Sequence, residues 1–250
     1  MDGQKGKAKR PQPRLDSASV IAEVLRRTRA DLKGLQPKNP QLSFAISFAR
    51  HMGSLMADGL RGDFSEVQSG ERPSRAVSGP KRVDVNYSTT AAGLGFAISL
   101  KSVHRGEKAA GDAAFTHNMK RNDEELRVEA TGHHLRQPYA VLVAVLFLPF
   151  ESCTDLPTSS FAAWVQYFWP LKGRVEPEDP PDRFELVFVA LYARDGSEMG
   201  FYRVGGDVKC PRHGRPSTLL TFGDFLDLIR TAYRKRNSKD FYYAGEEPPA

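Results

Sequence analysis

The stretch "AVLVAVLFL", residues 140–148, carries no polar side chain. It is far too short to cross a bilayer, which takes about 20 apolar residues. It does not alternate, so it is no half-exposed strand. An apolar run of this length reads as a central strand covered on both faces, within a strand spanning about 139–150. A strand of that kind needs helices on either side of its sheet, which predicts an α/β layered architecture. The chain has 250 residues and a 40% hydrophobic share, enough for one large globular domain.

The surrounding pattern supplies the helices and the rest of the sheet. Residues 16–35 show an amphipathic helix capped by Asp16 or Ser17, with Val20, Val24, Leu25, Leu32 and Leu35 on its apolar face. "QPKNPQ" (36–41) breaks the chain, and a second, mostly apolar helix is expected over 42–60. Residues 61–80 are rich in Gly, Ser, Arg and Pro and read as loop. Strands are expected at about 82–88 and 94–103, and a polar helix at about 112–136. An aromatic helix follows at 159–171, then a hairpin over 184–193 and 199–204, and a final helix at 221–236. "MDGQKGKAKRPQPR" (1–14) reads as a disordered basic tail, leaving 15–250 as a single domain. The net charge of +6 favours anionic partners, nucleic acid first. Two cysteines, Cys153 and Cys210, predict no disulfide framework and suit a reducing, cytoplasmic setting. A charged N-terminus without an apolar segment reads as no signal peptide, and a membrane association is not expected.

One detail is out of place in this scheme. Asp84 sits inside "RVDV" and Lys101 inside "ISLKS", each within an apolar strand. Ser99 and Lys101 are two residues apart and point to one face. Asp84, on the neighbouring strand, can face them. A carboxylate and a lysine on one face suit a divalent cation and a water. Mg²⁺ prefers oxygen ligands such as Asp84, polarises a phosphoryl oxygen and acidifies its water. The lysine orients that water or neutralises charge in the transition state. Those parts suffice for phosphodiester hydrolysis. The duller reading is a cross-strand salt bridge on an ordinary hairpin.

A buried helix, a strand with Asp, a strand ending in x-Lys, a helix and an apolar strand together resemble the core of the PD-(D/E)xK nuclease superfamily, which includes most type II restriction endonucleases. The matching stretch is about 42–148, with 149–236 as a C-terminal extension of sheet and helix. The resemblance implies a restriction-endonuclease-like α/β fold, a mixed central sheet flanked by helices. It departs from the pattern at Val83, where a proline is usual, and at Ser99, where the family has Asp or Glu. Some restriction enzymes of this superfamily also read Ser-x-Lys and take the missing acid from the next helix. On the 112–136 helix the core stripe is Phe115, Met119, Leu126 and Ala130. Glu125 lies at its edge, in a row with Asn118, Asn122 and Glu129, while Glu124 points to solvent. Glu125 is therefore the favoured migrated acid, with Glu107 and Asp112 as alternatives. A further acid is expected from the end of the first core helix, Glu66 or else Asp58.

The resemblance thus implies a Mg²⁺-dependent endonuclease of restriction or defence type acting on double-stranded DNA. Asp84, Glu125 and Glu66 would hold the metal, Lys101 would position the water, and Ser99 marks the vacated ligand place. Cutting both strands at a palindrome implies a homodimer. The rival is a catalytically inactive nuclease-fold subunit that binds DNA or serves as scaffold; an RNase of the same fold is a third reading. DNA contacts are expected from Asn118, Lys120 and Arg121, from Arg105 after the catalytic strand, and from Lys209, Arg212 and Arg215 in the basic loop 208–217. Lys120 and Arg121 equally suit i, i+4 pairs with Glu124 and Glu125. His133, His134, Cys210 and His213 lack the paired clusters of a zinc site.

Overall fold

The computed structural model describes residues 16–76, 79–89, 93–104 and 115–237. The basic tail 1–14, Arg105, Glu107 and Asp112 lie outside the described residues. In chain order the elements are α1 (Ser17–Leu32), α2 (Pro40–Leu60), β1 (Gln68–Ala76), β2 (Gly79–Thr89), β3 (Gly93–Ser102), α3 (Met119–His134), β4 (Val141–Pro149), α4 (Ser160–Phe168), β5 (Leu186–Tyr192), β6 (Met199–Arg203) and α5 (Phe222–Arg236). The strands form one mixed sheet in the order β1-β2-β3-β4-β5-β6. β1, β2 and β3 are antiparallel, β3, β4 and β5 are parallel, and β6 returns antiparallel to β5.

The apolar run of β4 explains the layers. All nine of its residues are buried. Val141, Val143, Val145 and Phe147 pack with α1, α2 and α5, while Leu142, Ala144, Leu146 and Leu148 pack with α3 and α4. α3 and α4 are the crossovers between parallel strands, and strand order advances in one direction. Right-handed crossovers then place both helices on one face, as found.

Local chemistry sets the helix ends. The Asp16 side chain caps α1 through the Ser19 amide, and Asn39 caps α2 with Pro40 at its first turn. The proline expected to break the chain therefore starts the second helix. Thr221 and Asp224 form a capping box at α5. Leu35 falls beyond α1 and is exposed rather than on the apolar face. Two further expectations need correction. Residues 68–76, read as loop, form β1, an edge strand. α3 begins at Met119, with Asn118 in the left-handed conformation (φ 64°) just before it, so Asn118 is not part of the helical row.

Candidate active site

β2 and β3 run paired only as far as Val85 and Ile98. Beyond that pair β2 stays with β1. β3 stays with β4, where Ser99, Leu100 and Lys101 lie opposite Ala144, Val145 and Leu146. The sheet forks at Asp84 and Ser99.

The fork has a local cause. Ser69 pairs with Val85 and Arg72 with Val83, so Gly70 and Glu71 of β1 together stand against Asp84 alone. This is a β-bulge, and Gly70 at its first position has φ 96°, a backbone conformation that side chains with a Cβ avoid. A regular strand would put Val83 and Val85 on one face. Here Val83 packs with the α3 and α4 core and Val85 with the α1, α2 and α5 core. The alternation breaks at Asp84. Behind it, Gly53 lets α2 approach the β2 backbone. A Cβ on Gly53 would lie 3.3 Å from the Asp84 carbonyl oxygen.

Three functional groups line the fork. Asp84 Oδ2 accepts a hydrogen bond of 2.7 Å from the Leu100 amide, a place that a continued β2 ladder would fill with backbone. The buried Ser99 hydroxyl donates to Glu129 of α3. Lys101 Nζ donates to Glu125 Oε2 at 3.0 Å, and Arg121 Nε donates to Glu125 Oε1 at 2.7 Å. Partial burial raises the Glu125 carboxyl, but the hydrogen bonds from Arg121 and Lys101 outweigh it, and its pKa is lowered on balance.

The expected residues are therefore sorted. Ser99, Lys101 and Glu125 gather at one end of β3, and Asp84 is bonded to the Leu100 amide between Ser99 and Lys101. Glu125 has both carboxylate oxygens taken by cations. Glu129, one helical turn further along the same row, is the acid that reaches Ser99, and sequence reasoning placed it in that row without choosing it. The structure does not bring Glu66 here. Gln68 already pairs with Asn86, and Glu66 precedes it in an exposed turn, on the side away from Asp84. Asp58 pairs with Arg61 at the end of α2. Lys120 and Arg121 make the i, i+4 pairs with Glu124 and Glu125. Lys209, Arg212 and Arg215 are exposed on the 208–217 loop. His133 and His134 are buried in the last turn of α3, and Cys153 and Cys210 are free thiols.

Among the described residues no three or more His, Cys, Asp or Glu side chains gather closely enough to hold a metal ion, and no helix is long and apolar enough to cross a membrane. No protein-family model matches the chain, and no curated protein matches it. Among solved structures it is similar to Pyrococcus furiosus SfsA in complex with Ca²⁺, at 13% identity and a TM-score of 0.28, with 62% of each chain covered, so the likeness spans less than two thirds of either.

Proposed function

We propose that the chain is a Mg²⁺-dependent endonuclease of restriction or defence type that hydrolyses phosphodiester bonds in double-stranded DNA. One observation carries the reading. The sheet opens between β2 and β3 where Asp84, the Ser99–Glu129 pair and Lys101 come together. That arrangement suits the motif order of the PD-(D/E)xK nucleases, with Glu129 supplying the acid that Ser99 lacks.

A closed cage of protein ligands does not fit the described residues. Mg²⁺ asks for less: it is bound by one or two carboxylates and keeps its remaining places for water and substrate phosphate. Asp84 and Glu129 are the carboxylates that would hold it. When bound, the ion polarises a phosphoryl oxygen and lowers the pKa of a coordinated water. Lys101 presents a cation where negative charge develops in the transition state. Glu125 fixes the direction of that ammonium, and Arg121 fixes Glu125. A homodimer would bring two such sites to a palindromic target, one for each strand.

A second reading draws on one specific feature. The Lys101 ammonium is already ion-paired to Glu125 at 3.0 Å. That favours a catalytically inactive subunit that binds DNA with the same fold. Supercoiled plasmids of differing methylation, incubated with Mg²⁺, separate the two. The wild type nicks or linearises DNA, while Asp84→Ala, Lys101→Ala and Glu129→Gln lose activity by about 10²-fold or more. Glu124→Gln, on the solvent side, keeps it. A wild type that binds DNA without ever cutting it, or active Asp84 and Lys101 variants, would overturn the enzyme reading.

A further inference from the structure

We infer that the loop 208–217 is a preorganised arm for the duplex backbone, in which Lys209 and Arg212 meet phosphates while Arg215 serves as a brace. The inference rests on the nucleic-acid partner of the proposed function, though not on catalysis.

The loop leaves β6, three strands from β3, and folds back over the end of β4. Gly214 N donates to the Cys153 carbonyl at 2.8 Å, and Ser159 N donates to the Arg212 carbonyl at 2.9 Å. The Tyr202 hydroxyl donates to the Val208 carbonyl at 2.8 Å. At its far end Leu220 bridges to Phe201. Cys153 lies just past the C-terminal end of β4, and β4 runs parallel to β3. Residues 212–214 of the loop therefore stand toward the same end of the sheet as Lys101. An arm at this place meets the backbone of the same DNA that enters the fork.

The three cations of the loop differ in their surroundings. Arg215 is paired to Glu198 at 2.9 Å and lies over the Phe150 ring at 3.7 Å from its centroid. Its charge is compensated and its plane is covered. Arg212 uses only Nε, which donates to Thr158 Oγ1 at 2.8 Å, and this leaves the ends of its guanidinium fork to solvent. Lys209 is exposed. Residues 208–217 contain no carboxylate, and the next one in sequence is Asp207. Because the backbone is fastened at several points before any ligand arrives, little ordering remains to oppose binding. Exposed cations on a fixed loop suit a regular array of phosphates, and base edges are not required.

The salt dependence of binding tests this. Dissociation constants for a 30-base-pair duplex are measured in EDTA between 50 and 200 mM salt, for the wild type and for Lys209→Ala, Arg212→Ala and Arg215→Ala. Each lost phosphate contact flattens the slope of log K against log salt by about 0.9. Lys209→Ala and Arg212→Ala are expected to do so, equally on unrelated sequences and without a change in melting temperature. Arg215→Ala keeps the slope and lowers the melting temperature. Wild-type binding with unchanged slopes in both Lys209→Ala and Arg212→Ala would overturn the arm, as would a slope carried by Arg215. Tighter binding to RNA than to duplex DNA would overturn the choice of partner. Normal slopes with no cleavage in Mg²⁺ would sink the nuclease and leave the arm standing. No binding to any nucleic acid would sink both.

Discussion

His104 should make the fold acid-sensitive, in a way that one substitution removes. It lies just beyond β3, the strand that carries Ser99 and Lys101. Its Nδ1 is 2.8 Å from the Tyr192 hydroxyl of β5, and its ring packs against Phe44 and Phe48 of α2, with centroids 4.6 and 5.0 Å away. Nε2 is buried without a hydrogen-bond partner. Burial, and then the charge of Arg194, lower its pKa from 6.5 to about 3. The native state thus refuses a proton that the unfolded chain accepts. The stabilisation is complete above about pH 6.5 and is lost as pH falls from there toward about 3. At about 1.4 kcal/mol per pH unit, pH 5.0 lies about 1.5 units below the unfolded value and removes about 2 kcal/mol. Urea unfolding followed by circular dichroism at pH 7.5 and 5.0 measures it. The wild type should lose about 2 kcal/mol more than His104→Gln over that interval, whatever the two stabilities are at pH 7.5. Equal losses would refute the reasoning, because the remaining histidines are common to both proteins.

Two further outcomes follow from the fold and the fork. Arg174 and Glu185 are both buried, with Nε 3.3 Å from Oε1, and Arg236 joins them at 3.1 Å. Truncating Arg174 to Ala strands part of a buried charge network and should cost about 3–5 kcal/mol in a denaturant titration. Gly70→Ala meets no neighbouring atom within 4 Å, so its cost is the backbone conformation alone, about 1–2 kcal/mol. Since the bulge sets the fork, Gly70→Ala should slow plasmid cleavage more than its lowered melting temperature explains.

Most of the sheet could be read from side-chain pattern because its strands are apolar on at least one face. β3, β4, β5 and β6 were expected close to where they lie, and the doubly buried β4 located the layers. β1 escaped because "QSGERPSRA" looks like a loop. As an edge strand it pairs on one side only, which tolerates the Gly, Pro and Ser that would break a central strand. The site was legible to the extent that it depends on sequence-local geometry. The two-residue step from Ser99 to Lys101 fixes their common face, and the row of Asn122, Glu125 and Glu129 on α3 brings Glu125 to Lys101. Which acid of that row meets which group depends on how far α3 slides along β3. The start of α3 at Met119, after the left-handed Asn118, has no local sequence signal. The fork itself comes from an extra residue in a strand that periodicity did not reveal.

The division of labour along α3 can be tested by moving the acid. Ser99 hydrogen-bonds Glu129, so the two positions adjoin. If Glu129 supplies the carboxylate missing at position 99, then one acid at either place should serve. Glu129→Gln alone should abolish cleavage. Ser99→Asp alone sets two carboxylates against each other in a site where the native Ser99 is only 3% exposed, and should lower the stability of the metal-free protein. The double variant Ser99→Asp, Glu129→Gln keeps one acid and one hydrogen-bond partner in the pair, and should recover a measurable part of the activity with Mg²⁺. The same exchange made with Glu125→Gln in place of Glu129→Gln should bring no recovery, because Glu125 acts on Lys101. Recovery with Glu125→Gln, and none with Glu129→Gln, would reverse the two roles. Activity retained by Glu129→Gln alone would remove Glu129 from the site.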